Sequence, residues 1–167
     1  NVIAEPYGRN TAPCIGLAAT MLKHIDEKAV MVVLPADHLI RNEEEFLRVL
    51  KLATETAYES ESLVTIGITP THPETGFGYI QFLDTKDETN NYFDRGLYRV
   101  KTFAEKPNIE TAKQFLASGD FLWNSGMFVW RVDVILREIQ LHLPEVYSEL
   151  SKIEPLVGDK TFPTLLE

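Results

Sequence analysis

The run LPADHLI, residues 34–40, sets Asp37 directly behind an apolar segment. A carboxylate placed where a strand ends can coordinate Mg²⁺ together with substrate phosphates, because Mg²⁺ takes one or two protein carboxylates and completes its shell with water and phosphate oxygens. The same aspartate can instead close a turn before the next helix. His38, beside it, reads as a supporting or structural residue and not as a catalytic base. A second pairing lies in FAEKP, residues 103–107, where Glu105 and Lys106 precede a proline. Neighbouring strand residues point to opposite faces, but the pleat can relax at a strand end. The carboxylate would then take ligand hydroxyls and the ammonium a phosphate; an exposed ion pair is the alternative.

Three further stretches have residue types that can meet a ligand. In WNSGMFVW, residues 123–130, the polar Asn124 and Ser125 stand among large apolar side chains. A buried amide needs partners, so Asn124 either satisfies backbone or reads a ligand. In PETGFGYI, residues 73–80, Gly76 and Gly78 flank Phe77, which lets backbone approach a ligand closely. The spacing is not that of a dinucleotide-binding loop, and a hairpin turn is the plain alternative. EPYGRNTAP, residues 5–13, runs into a helix start. There Glu5 can accept hydrogen bonds from a base while Arg9 and the first-turn amides face an anion, or the stretch is simply a capped helix with a surface arginine.

Other chemistries lack their residues. His24, His38, His72 and His142 are scattered, and no His/Cys cluster has the spacing of a zinc site. No Ser-His-Asp or Cys-His arrangement can be assembled. The single cysteine, Cys14, sits among small apolar residues and reads as a buried structural side chain. The net charge of −9 argues against a nucleic-acid backbone as partner, since such a binder normally shows a basic face. No apolar run approaches membrane-spanning length, so a cytoplasmic location is expected. The first residue is Asn1 and not methionine, which reads as a piece of a longer protein.

The elements that must position these residues follow from hydrophobic period and punctuation. A helix is expected from Asn10 or Thr11, with Pro13 in its first turn, and 29–35 reads as an apolar strand buried on both faces. Residues 42–60 form a strong helix: acids crowd its first turn, and Phe46, Val49, Leu50, Ala53 and Ala57 share a face. Residues 62–68 are a second buried strand and 69–78 a loop rich in Pro, Gly and Thr. Strands at 79–85 and 97–107 enclose a polar excursion, 86–96. A short helix ends at Gly119, a strand-like run from Phe121 is interrupted by Asn-Ser-Gly, and the last helix breaks near Pro144. Helix and strand alternating in this way make an α/β sandwich, with ligands expected at strand carboxyl ends. That is where Asp37 falls.

Taken in order, EPYGRNTAPCIGLAA, VVLPADHLI, IGITPTHPETGFGYI, VKTFAEKP and FLWNSGMFVWR resemble the mannose-1-phosphate guanylyltransferases, a branch of the sugar nucleotidyltransferases, over residues 1 to about 142. The resemblance implies a Rossmann-like three-layer α/β/α fold with a mixed, mostly parallel sheet, incomplete at both ends. Residues 1–167 would then be the central part of one catalytic domain. It implies transfer of GMP from GTP to mannose 1-phosphate, with Mg²⁺ as cofactor and pyrophosphate leaving. It also implies roles. Glu5, Pro6, Arg9, Asn10 and Thr11 would line the guanine end, and Asp37 would hold the metal. Gly78, Glu105 and Asn124 would bind the sugar, and Lys106 its phosphate. The family's Gly-rich G-x-G-x-R-L-x-P-x-S-x-P-K loop and its second metal-binding acid are not in these residues, so the isolated chain is expected to be inactive. A different sugar-1-phosphate nucleotidyltransferase and a non-catalytic sensor of nucleotide-sugars stand as alternatives. Self-association is left open.

Overall fold

The computed structural model describes residues 3, 5, 7, 8, 10–84 and 93–158, so Pro6, Arg9 and the first part of the polar excursion lie outside the described residues. The chain groups into two compact units, one of residues 1–64 and 128–167, the other of residues 65–127.

In the first unit α1 (Thr11–Lys23) begins at Asn10, whose side-chain oxygen accepts the Thr11 amide at 2.9 Å. α2 (Glu43–Ser60) begins the same way: Asn42 accepts the Glu45 amide at 3.1 Å, and Glu43, Glu44 and Glu45 complement the helix dipole. Its buried stripe contains Ala53 and Ala57, as the periodicity requires, and adds Leu52 and Thr56. Between the helices lies β1 (Val30–Val33), which pairs antiparallel with the last residues of β5 (Phe121–Arg131), Val30 opposite Arg131 and Val33 opposite Phe128. α4 (Val132–His142) follows β5 without a loop, and Pro144 starts α5 (Pro144–Ile153), the break expected from its missing amide hydrogen. Met31, Trp130, Ile139 and Leu150 form the centre of this unit's core. Leu150 packs closely on Gly16: a Cβ there would lie 2.5 Å from Leu150 Cδ1 and would make that side chain shift.

In the second unit β3 (Tyr79–Leu83) lies between β4 (Arg99–Ala104) and the start of β5, antiparallel to both. Tyr79 stands opposite Ala104 on one side and Trp123 on the other. β2 (Val64–Ile68) also pairs with β5. α3 (Ile109–Ser118), capped by Asn108 and ended by Gly119 at φ 79°, covers one sheet face through Ala112 and Phe115, which pack with Tyr79, Phe121 and Trp123.

Four expectations are corrected. The sheet is not mostly parallel: every pairing of defined register is antiparallel. Strand–helix–strand alternation in 30–68 suggests parallel neighbours, but β1 and β2 are not paired with each other and both take β5 as partner. β1 is not buried on both faces, since Val32 is 40% exposed. The Asn-Ser-Gly sequence does not interrupt β5, which runs through it unbroken. Gly126 adopts φ 71° inside the strand, and the polar side chains bond locally: Ser125 Oγ donates to the Ile66 carbonyl at 2.6 Å and accepts the Met127 amide at 3.1 Å. Cys14 is exposed in the first turn of α1, and the buried positions of that helix begin only at Ile15.

Candidate functional site

The register of the second unit gathers four of the residues singled out above. Tyr79 faces Ala104 and Trp123, so one step further along the strands Gly78 falls between Glu105 and Asn124. The Asn124 amide donates to the Gly78 carbonyl at 2.8 Å, which fixes that row. Side chains alternate across a sheet, so Glu105 and Asn124 project from the face opposite the buried Tyr79 and Trp123. Gly78 keeps the space between them open: a Cβ there would lie 3.0 Å from Glu105 Oε2 and 3.5 Å from Asn124 Cβ. An exposed carboxylate and an amide on either side of bare backbone make a floor suited to a polyhydroxylated ligand.

Of the two alternatives its sequence context raised, the structure shows Asn124 satisfying backbone. Its Oδ1 accepts the Gly126 amide at 3.0 Å, which satisfies backbone at the glycine kink. The orientation that bond imposes sends Nδ2 toward Gly78, 3.7 Å from where a Cβ would be. One side chain thus supports the strand and presents a donor to the row.

Lys106 departs from ordinary backbone geometry. Its φ is 40°, in the left-handed region that a side chain disfavours, and Pro107 follows it. The strict alternation of the strand is thereby broken. Lys106 Nζ comes within 3.7 Å of Glu105 Oε1, although successive residues of a regular strand would diverge. Both side chains remain largely exposed, at 64% and 73%. The strain therefore aims an ammonium at the Glu105 side of the row, and strained non-glycine residues of this kind gather at functional sites.

The loop leading to Gly78 is tied to the strands by Tyr79. Its hydroxyl donates to the Glu74 carbonyl at 2.8 Å and accepts the Glu74 amide at 3.0 Å. Glu74 Oε1 accepts the Gly76 amide at 2.8 Å. That bond, then the His72 ring, holds the Glu74 carboxyl below its ordinary value.

The remaining candidates lie in the first unit. Asp37 occupies a turn after β1, its side chain 86% exposed, with Oδ1 3.0 Å from His38 Nδ1. No cluster of three or more metal-ligating side chains occurs among the described residues. A lone exposed carboxylate nevertheless suits Mg²⁺, which needs few protein ligands when phosphates supply the others. Asn10 and Thr11 form the start of α1, with Asn10 at φ 77°. Glu5 interacts with Cys14: partial burial, then the Glu5 charge and hydrogen bond, push the Cys14 thiol above its ordinary value.

Two ordered groups of side chains had no signal in the sequence. Arg131, buried at the end of β5, donates to Asp133 Oδ1 at 2.9 Å, to Asp133 Oδ2, and to Glu61 Oε1 at 3.0 Å. The His72 and Phe77 rings meet Trp123 edge-on at 4.9 and 5.4 Å. Both join residues distant along the chain.

The chain belongs to the nucleotidyl transferase family, whose sequence model matches residues 1–155. Its relatives narrow the class. It is 44% identical over 148 residues to the mannose-1-phosphate guanylyltransferase of Escherichia coli, covering 87% of this chain and 31% of that protein. It is 44% identical over 164 residues to the enzyme of the same name from Salmonella montevideo, covering 97% of this chain and 34% of that one. Among solved structures, a Thermus thermophilus protein described as a mannose-1-phosphate geranyltransferase is similar at a TM-score of 0.80 and 27% identity, over 98% of this chain and 45% of that chain. The chain spans about a third of the length of the curated relatives it matches.

Proposed function

We propose that the full-length protein transfers GMP from GTP to mannose 1-phosphate, releasing pyrophosphate and forming GDP-mannose. The observation that carries this reading is the row Glu105–Gly78–Asn124 with Lys106 held beside it by a strained backbone. In this reading the carboxylate of Glu105 accepts hydrogen bonds from sugar hydroxyls and Asn124 Nδ2 donates to another. Gly78 lets the sugar lie against backbone, and Lys106 neutralises the sugar phosphate. A phosphate monoester is already an anionic nucleophile, so its oxygen can attack the α-phosphorus in line, without a covalent enzyme intermediate or a strong general base. The protein's contribution is positioning and charge neutralisation.

Glu5, Pro6, Arg9, Asn10 and Thr11 are assigned to the guanine end, and Asp37 is the residue that would hold Mg²⁺. When bound, the metal supplies charge neutralisation on the triphosphate. Residues 1–167 are taken as the central part of one catalytic domain, working in the cytoplasm. The relatives named for this activity support the choice of sugar and base.

The test is pyrophosphate release by the full-length protein, with GTP, ATP, UTP and dTTP each offered against several sugar 1-phosphates. GTP with mannose 1-phosphate should give the highest kcat/KM. Preference for another pair would assign a different nucleotidyltransferase, and tight binding of nucleotide-sugar with no turnover of any pair would assign a sensor.

A further inference from the structure

Gly78 has no side chain, so what surrounds it must fix its position in the row. Asn124 does this directly, through the 2.8 Å bond from its amide. A second connection runs behind the strands. Trp123, the neighbour of Asn124, is buried and meets the edge of the His72 ring at 4.9 Å. His72 Nε2 lies 3.4 Å from Glu74 Oε2, and its Nδ1 lies 3.1 Å from Thr71 Oγ1. Glu74 in turn holds the Gly76 amide through its side chain and the Tyr79 hydroxyl through its backbone. The contacts form a closed circuit that leaves Asn124 through Trp123, His72 and Glu74 and returns through Gly78.

We propose that His72 is a positioning residue for the sugar phosphate: by bridging the Trp123 ring and the Glu74 carboxylate it seats the 69–78 loop so that Gly78 stays aligned between Glu105 and Asn124. This rests on the assignment of that row to sugar binding. His72 itself is partly exposed, with 57% of its side chain open, so its removal leaves no core cavity and its effect falls on the loop. The ring and the ring nitrogen act on different partners. An edge-on aromatic contact needs only a ring, whereas the Glu74 contact needs a nitrogen donor.

The experiment uses the full-length protein and compares His72→Ala, His72→Phe and His72→Gln with wild type in pyrophosphate release and thermal unfolding. His72→Ala is expected to raise KM for the sugar 1-phosphate by roughly three- to tenfold, the scale of one aromatic edge contact, while KM for the nucleotide and the Tm stay near wild type. His72→Phe, which keeps the ring, and His72→Gln, which keeps a donor, should each recover part of that loss. A lowered Tm with an unchanged sugar-phosphate KM would make His72 merely structural and overturn the inference alone. A wild-type protein that consumes no sugar 1-phosphate would overturn the functional reading and the inference with it.

Discussion

Lys106 concentrates the residue-scale question, because two properties of one side chain can be separated. Its charge is proposed to meet the sugar phosphate; its φ of 40° is a cost that the charge must justify. Lys106→Ala removes the ammonium and keeps a Cβ in the left-handed region, whereas Lys106→Gly removes both. The glycine variant should therefore be the more stable of the two by about 1 kcal/mol, the usual penalty for an L side chain in that region. Both should lose activity alike, by at least about tenfold, as expected when a charge-assisted contact to phosphate is removed. Urea denaturation and kcat/KM measured on the pair decide it. Equal stability would mean that the backbone there is unstrained, and retained activity in either would take the ammonium out of the chemistry. The FAEKP motif announced the pair of charges and the stop at proline. It did not announce that the strand alternation is broken by a left-handed residue, since nothing in the lysine's type favours that conformation.

At the scale of elements, the 69–78 loop depends on a side chain that belongs to the strand after it. Tyr79 is fully buried and its hydroxyl bonds both polar groups of the Glu74 backbone. Tyr79→Phe keeps the ring in the core and leaves that amide and carbonyl unpaired, which should cost about 1–2 kcal/mol. The loosened loop should also weaken sugar-phosphate binding; a stability loss without any rise in KM would show that Gly78 is held by the strand pairing alone. The elements themselves were largely legible. Asn10, Asn42, Gly119 and Pro144 each mark a helix boundary where the sequence placed one, because capping is a local matter of one side chain and its nearest amides. Strand direction was not legible. It is set by which strands meet, and the alternation of 30–68 looks the same whether β1 and β2 pair with each other or both with β5. The row of Glu105, Gly78 and Asn124 was legible as residue types and became a site only through register, which no single stretch contains. The continuity of β5 through Asn-Ser-Gly was hidden for a similar reason. Its polar groups are satisfied by Ile66 and by a glycine at positive φ, and only the second of these is local.

For the molecule as a whole, charge sets the response to pH, and two effects oppose each other. The net charge of −9 gives self-repulsion that acidification from pH 7 toward the isoelectric point near 5.0 relieves. Below that, specific carboxylates dominate. The Arg131 guanidinium, bonded to both Asp133 oxygens, holds the Asp133 carboxyl below its usual 3.8. Hydrogen bonds from Ser118 and Gln81 lower Asp120, and the Gly76 amide lowers Glu74 from its usual 4.5. A carboxyl depressed by folding adds stability that is fully present above its unfolded value and is lost as pH falls through the lower folded one. Stability should therefore hold or rise slightly between pH 7 and 5, then fall as pH passes below 4.5 and 3.8 in turn. Asp133→Asn tests the carboxylate paired with Arg131, because it keeps the side chain's shape and removes the charge facing a buried arginine. Its urea midpoint should lie below wild type at pH 7, where Arg131 is left with Glu61 as its charged partner. Its decline in acid should be shallower by up to about one proton of uptake, since one group no longer titrates on unfolding. An Asp133→Asn protein that loses stability at pH 7 yet retains the full acid slope would place the titrating carboxylate elsewhere, with Glu74 and Asp120 the next to replace.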